Sequence, residues 1–512
     1  MRRRPVLFFV PALFAGCAGA AVPAPSVPGP SATFTIEPAV ETISAADIQR
    51  RIAFLASDEL AGRDTPSPGL DAAAQYAAGE FRSFGLDPAG DDGSFIQRFP
   101  FDATTLDRTA VLVETRGNAG AARLAFGSDY FVLPARIDSV VGTPLFLGPP
   151  RPGVLPPAEA AGRPVVYFIA DTTSAGWQLA AGAAFQSSMA ARAGAVILVM
   201  APDFPVATIG MLADQMVGQI MPVPMPVVGM RYDAAKPMFE AAGLDLDAVR
   251  TATDVTPLTG SVLAVRTPVG GASVDVPNIV AVLRGGDPAL NGEYVVFSAH
   301  IDHVGVGQPD ETGDSIYNGA DDDASGTAAV LEIAQAFAGL ERRPARSILF
   351  VLVSGEEKGL LGSQYFVQNP PVPAAQMVAN INIDMIGRNA PDTVVAIGQD
   401  YSSLGPAAQR VAGAHPELGL TVAPDLWPEE QLFFRSDHFS FAAQEIPAIF
   451  FTTGLHDDYH RPSDEPETID NDKLTRVARL LFRLAYDLAN TPERPTWTAE
   501  GLAEVRRATG GN

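Results

Sequence analysis

The chain has 512 residues, 47% of them hydrophobic and 18% charged, which supplies material for a large core and excludes disorder over most of its length. Its formal net charge is −24, from 35 Lys and Arg against 59 Asp and Glu, and no basic footprint stands out, so there is no general electrostatic reason to bind nucleic acid. A single cysteine excludes an intrachain disulfide framework and any Cys-rich zinc module, and 44 prolines with 47 glycines exclude a coiled coil or long bundle.

In chain order, residues 1–17 begin with Arg2 to Arg4 and continue as an apolar run from Val6 to Phe14, the pattern of a secretory signal and too short to span a membrane. The run ends L-F-A-G-C, which is similar to a bacterial lipoprotein signal, in which Cys17 would be lipidated; plain cleavage near Ala20 is the alternative. Either way the chain is expected to be exported, as a periplasmic or outer-membrane lipoprotein or as a secreted protein, with a lipid anchor its one route to a membrane. Residues 18–41, rich in Ala, Pro, Ser and Val, read as a flexible tether. Ser44 then caps a helix with Ile48, Ile52, Phe54 and Leu55 as a rough apolar stripe, D-E-L-A-G-R (Asp58 to Arg63) breaks it, and a second helix runs roughly from Gly69 to Phe84.

Residues 140–260 contain no histidine and no motif of catalytic residue types, and read as a small α/β or β domain inserted into the main one, which occupies 42–139 and 261–492 ahead of a C-terminal tail at 493–512. From about Val276, apolar strand-like runs (Glu293 to His300, Ser347 to Ser354, Val378 to Ile386, Ile446 to Thr453) alternate with helices (Gly326 to Leu340, Lys473 to Asn490). The expected fold class is α/β, with a mixed, largely parallel central sheet flanked by helices.

All six histidines fall between His300 and His460, and the chemistry-bearing residues gather at the ends of the expected strands, where open α/β sheets bind ligands. S-A-H-I-D-H-V-G offers His300 as a metal ligand and Asp302 to orient it. N-G-A-D-D-D-A-S-G puts three adjacent carboxylates between apolar elements, a repulsion a dication would relieve. V-S-G-E-E-K-G follows a buried strand with Glu356 and Glu357, suited as general base and ligand. Asp384 interrupts an apolar run, and H-D-D-Y-H (His456 to His460) adds a second imidazole and a phenol; S-D-H-F-S-F is a further polar cluster with His438 available. Taken singly, each segment has a plainer reading, such as a hydrogen-bonded histidine, a capping acidic loop or a Glu pair at a helix start. Jointly they give a set of N and O donors without Cys that suits Zn²⁺, with Mn²⁺ or Co²⁺ as alternatives, and more protein ligands than one tetrahedral zinc uses.

In this order and spacing the segments resemble the co-catalytic dizinc aminopeptidases, metallopeptidase family 28 of clan MH, over about residues 276–490. D-E-L-A-G-R and G-L-D-A-A-A-Q-Y also look like that family, and 140–260 resembles the protease-associated domain some members carry. The resemblance implies the zinc aminopeptidase fold and two Zn²⁺, one with His300, Asp322 and Asp384, the other with Asp322, Glu357 and His460. It implies Asp322 as bridging ligand, Asp302 as the carboxylate orienting His300, Glu356 as general base and Tyr459 as a stabiliser of the oxyanion. A cis peptide is expected at Asp322–Asp323. The implied substrates are peptides with a free N-terminus. The alternatives are a glutaminyl cyclase or a carboxypeptidase of the same clan, the latter with Arg388 or Arg435 for a substrate carboxylate, or a non-catalytic peptide-binding protein.

Overall fold

The computed structural model describes residues 35–509 except positions 104, 109, 118–119, 134, 136–138, 152 and 216–224. The signal at 1–17, Cys17 and the tether up to residue 34 lie outside the described residues. Within the span assigned to the tether, helix α1 (Glu37–Thr42) forms with Ala39 and Val40 buried, so order begins earlier than composition suggested. Helix α2 (Ala45–Leu55) is capped by Ser44, whose hydroxyl accepts from the Asp47 N–H, and α3 (Pro68–Ser83) by Ser67, which accepts from the Leu70 N–H.

The central sheet has nine strands: β1 (Asp87–Pro88), β2 (Ile96–Asp102), β3 (Ser273–Leu283), β4 (Tyr294–His300), β5 (Ser347–Val353), β6 (Met377–Ile383), β7 (Thr393–Ile397), β8 (Thr421–Ala423) and β9 (Ala448–Thr452). Their order is β1-β3-β5-β4-β6-β9-β7-β8, with β2 also on β3. The middle four, β5-β4-β6-β9, are parallel, and β3 and β7 join antiparallel on either side. Every residue of β4, β5, β6 and β9 is buried, which is why these strands read as unbroken apolar runs rather than alternating ones. Helices α4 (Gly326–Ala338), α5 (Leu361–Gln368), α6 (Leu404–Ala414), α7 (His438–Ala442), α8 (Asn471–Asn490) and α9 (Ala499–Ala508) complete the unit. One core unites α1 to α4, α6 and α8 against one face of the sheet; a second lies on the other face with α5, α7 and Val505 of α9. The segment at 493–512 therefore holds a packed helix.

Between β2 and β3 lies a second unit with its own cores, built on a six-stranded sheet and a four-stranded sheet. It starts with Leu112–Gly117 and ends with Val262–Arg266, which pair with each other, so it extends well before residue 140. No periodicity in 100–135 separates those strands from the main sheet, and only the pairing reveals the boundary.

The chain leaves β4 for β5 on one side and then crosses to β6 on the other, so β4 is a topological switch point. The carboxyl ends of β4, β5, β6 and β9 converge there.

Candidate metal centre

Each candidate side chain stands where one of these strands ends. His300 is the last residue of β4, Glu356 and Glu357 follow β5, Asp384 follows β6 directly, and Tyr459 and His460 lie on the loop after β9. Asp384 does not sit inside its strand, as the apolar run around it suggested, but at the strand end with 7% exposure. Asp322 comes from the turn before α4, and its peptide bond to Asp323 is cis.

The two oxygens of Asp322 face two different histidines. Oδ1 is 3.1 Å from His300 Nε2, which is also 3.5 Å from Asp384 Oδ1. Oδ2 is 3.1 Å from His460 Nε2, which is also 3.1 Å from Glu357 Oε1. Sequence reasoning missed one neighbour, His303, whose Nδ1 is 2.9 Å from Glu357 Oε1 and 3.7 Å from Asp322 Oδ2. Two groups could each hold a cation: His303, Asp322, Glu357 and His460, and His300 with Asp384 and a neighbouring aspartate. Asp323 is close enough for the second group, but its oxygens accept main-chain N–H bonds from His300, Gly326 and Met385, which leaves Asp322 the better partner.

The donor set fits a metal. Asp384 Oδ1, Glu357 Oε1, His460 Nε2 and His303 Nδ1 are buried with no hydrogen-bond partner among the described residues, an arrangement costly without a bound cation. Asp302, Asp322, Asp323, Glu356, Glu357, Asp384 and Asp437 crowd together, and their repulsion points the same way. Burial pushes the Glu356 carboxyl well up, with Asp437, Asp384 and Glu357 adding and His300 opposing. Burial first, then the surrounding carboxylates, raise the Tyr459 phenol, so it stays protonated.

The supporting shell differs from expectation at Asp302. The His300 Nδ1 partner is the Asp302 main-chain carbonyl at 3.1 Å, whereas the carboxylate is 3.8 Å away. That carboxylate instead accepts from Thr65 Oγ1 and from the Glu356 N–H, tying the turn after β5 to the one after β4. Burial raises its pKa to about 6 against the pull of His300. Ser436 donates to Asp384 Oδ2 at 2.8 Å. Asp464 accepts the N–H groups of Asp321 and Asp322, and His456 Nε2 lies 3.3 Å from Asp321 Oδ2, which holds the loop carrying Tyr459 and His460. His438 does not reach the site. It packs against the rings of Phe433 and Phe450.

Beside His300, Asp322, Glu356, Asp384 and Tyr459 opens a cleft whose further walls are Met385, Leu432, Phe450, Thr452, Gly454 and Leu455, with Arg435 and Ser436.

Residues 278–485 match peptidase family M28. This segment is an M28 peptidase domain. A probable zinc metalloprotease of Pyricularia oryzae is 30% identical over 261 residues, 43% of this chain and 51% of the relative. A probable leucine aminopeptidase of Arthroderma benhamiae is 26% identical over 221 residues, 42% of this chain and 58% of the relative. The chain thus spans about half the length of the curated relatives it matches. Among solved structures, an aminopeptidase from Aneurinibacillus sp. strain AM-1 is similar with a TM-score of 0.58 at 18% identity, covering 90% of this chain and 97% of that one. A zinc aminopeptidase from Bacillus subtilis follows with 0.54 at 17% identity, covering 88% and 96%. At such identity the likeness establishes the fold: the M28 domain has a zinc aminopeptidase architecture.

Proposed function

We propose that the chain is an exported dizinc aminopeptidase that removes N-terminal residues from peptides. The observation that carries this reading is the bridging posture of Asp322, one oxygen toward His300 and the other toward His460. Two zinc ions, one among His300, Asp322 and Asp384 and one among Asp322, Glu357 and His460, would supply Lewis acidity and a water acidic enough to deprotonate near neutrality.

Glu356 takes that proton as general base and returns it to the leaving amine. Its position is fixed from below by the Asp302 carboxylate on its N–H. Tyr459, stacked on His460 with ring centroids 3.9 Å apart, donates its O–H to the carbonyl oxygen as charge develops there. The substrate's free amine is held by carboxylates of this crowded site. Met385, Leu432, Phe450 and Leu455 make the adjoining wall apolar, which favours an apolar N-terminal side chain. Of the two arginines that a carboxypeptidase would use, Arg388 is paired with Asp458 and Arg435 with Glu430.

The test is hydrolysis of a panel of aminoacyl-p-nitroanilides by the purified mature chain, with zinc and after chelation, beside N-acetylated controls. Chelator-sensitive cleavage confined to free-amine substrates is expected. No cleavage by a folded, zinc-loaded protein overturns the reading in favour of a cyclase, a carboxypeptidase or a silent binding protein. Mass spectrometry of the exported chain tests the leader: a lipidated N-terminus at Cys17 is expected, and an unmodified one near Ala20 replaces the anchor with simple secretion.

A further inference from the structure

The two groups of donors are not equivalent, and His303 is the reason. Its side chain is fully buried, and neither ring nitrogen has a hydrogen-bond partner among the described residues. Nδ1 nevertheless lies 2.9 Å from Glu357 Oε1 and 3.7 Å from Asp322 Oδ2. His460 Nε2 shows the same pattern, 3.1 Å from each of those two oxygens yet without a hydrogen bond to them. Atoms this close that do not bond to one another point at a shared centre. Ligands at 2.0–2.2 Å around a tetrahedral zinc are separated from each other by about 3.3 Å. The four separations, 2.9, 3.1, 3.1 and 3.7 Å, bracket that value.

The chain places this imidazole deliberately. Arg63, itself fully buried, donates to the carbonyls of Ile301, Asn318 and Gly319, and its own carbonyl accepts the His303 N–H. The loop after β4 is thereby locked to the turn that brings in Asp322. Gly319 leaves room for the ring, since a Cβ there would stand 2.5 Å from His303 Cγ.

We propose that His303 is a fourth protein ligand at the position formed by Asp322, Glu357 and His460. This rests on the dizinc reading and makes the two positions unequal. Four protein donors would crowd this position more than the three at His300, Asp322 and Asp384, so the latter would keep more room for water or substrate. The cleft agrees: its wall includes His300, Asp384, Glu356 and Tyr459, but neither His303 nor Glu357. The ion at the His303 position would thus be held the more tightly, and the other would be the more open to substrate.

The experiment uses the full chain loaded with zinc and then treated with a graded chelator, reading metal content and the zinc-edge X-ray absorption of the form that retains one ion. Two histidines around the retained zinc are expected, falling to one in His303→Ala, with its retention weakened by more than about 100-fold. Loss of a group that merely orients a ligand typically costs about 10–100-fold and leaves the histidine count unchanged. Should the variant fail to fold, the wild-type spectrum still decides. One histidine around the retained zinc of a two-zinc protein overturns the role of His303 and leaves the dizinc reading standing. A folded protein that takes up one zinc or none overturns both.

Discussion

Replacing Ser436 with Ala tests whether the site is held from beneath. The Ser436 hydroxyl donates to Asp384 Oδ2 and accepts from Asn382 Nδ2, both at 2.8 Å. Asn382 Oδ1 accepts from Ser298 Oγ, which in turn accepts from Asn380 Nδ2. All of these groups are buried. Ser436→Ala keeps the backbone and nearly all the volume but leaves one carboxylate oxygen and one amide N–H without a partner. Each costs about 1–3 kcal/mol, so a loss of about 2–6 kcal/mol is expected in the metal-free protein. Asp384 also loses its fixed orientation, which should weaken zinc at the His300 position by about 10–100-fold. The assays are urea unfolding of the metal-free chain and chelator competition, with Ser83→Ala as a reference, because its hydroxyl caps an exposed carbonyl. A stability loss below about 0.5 kcal/mol together with unchanged zinc retention would refute the argument, since that is the range of surface substitutions that break nothing.

The remaining predictions concern single residues. Glu356→Ala should abolish peptide hydrolysis while zinc content stays at the wild-type level; loss of zinc would mean that Glu356 and Glu357 have exchanged roles. Arg63→Ala strands the carbonyls of Leu55, Ile301 and Asn318, leaves Gly319 only the Ala324 N–H, and should cost about 3–5 kcal/mol in thermal unfolding. Arg63→Lys should recover little of it, because an ammonium cannot reproduce the fork. Burial lowers the His438 pKa to about 3, so it stays neutral in the folded chain while the unfolded chain protonates near the ordinary 6.5. The contribution is complete above pH 6.5 and is lost as pH falls toward 3, by about 1.4 kcal/mol per unit. Between pH 7 and 5 the wild type should lose about 2 kcal/mol more than His438→Phe, read from urea midpoints; equal slopes would show that this imidazole is solvated.

The fold was legible where burial is two-sided. The strands at β4, β5, β6 and β9 read as apolar runs because parallel strands in the centre of a sheet meet helices on both faces, and their ends marked where His300, Glu356, Glu357 and Asp384 emerge. The cap at Ser44 was legible for a local reason, a side chain reaching back to the third N–H of its own helix. The limits of the inserted unit were not, because Leu112–Gly117 and Val262–Arg266 define it by pairing across about 150 residues, and single-strand patterns do not name partners.

The same division holds for the site. Sequence determined its chemical inventory: histidines and carboxylates, no thiols, gathered at strand ends. Tertiary structure decided what each member faces. It gave Asp302 to Thr65 and Glu356 rather than to the His300 ring, withdrew His438 into an aromatic pocket, and brought His303 against Glu357. His303 had a signal of its own, a second histidine three residues after His300 in H-I-D-H. Only the turn built by Arg63 and Gly319 shows where that ring goes, because direction is set by contacts distant in the chain, whereas residue type is written at the position itself.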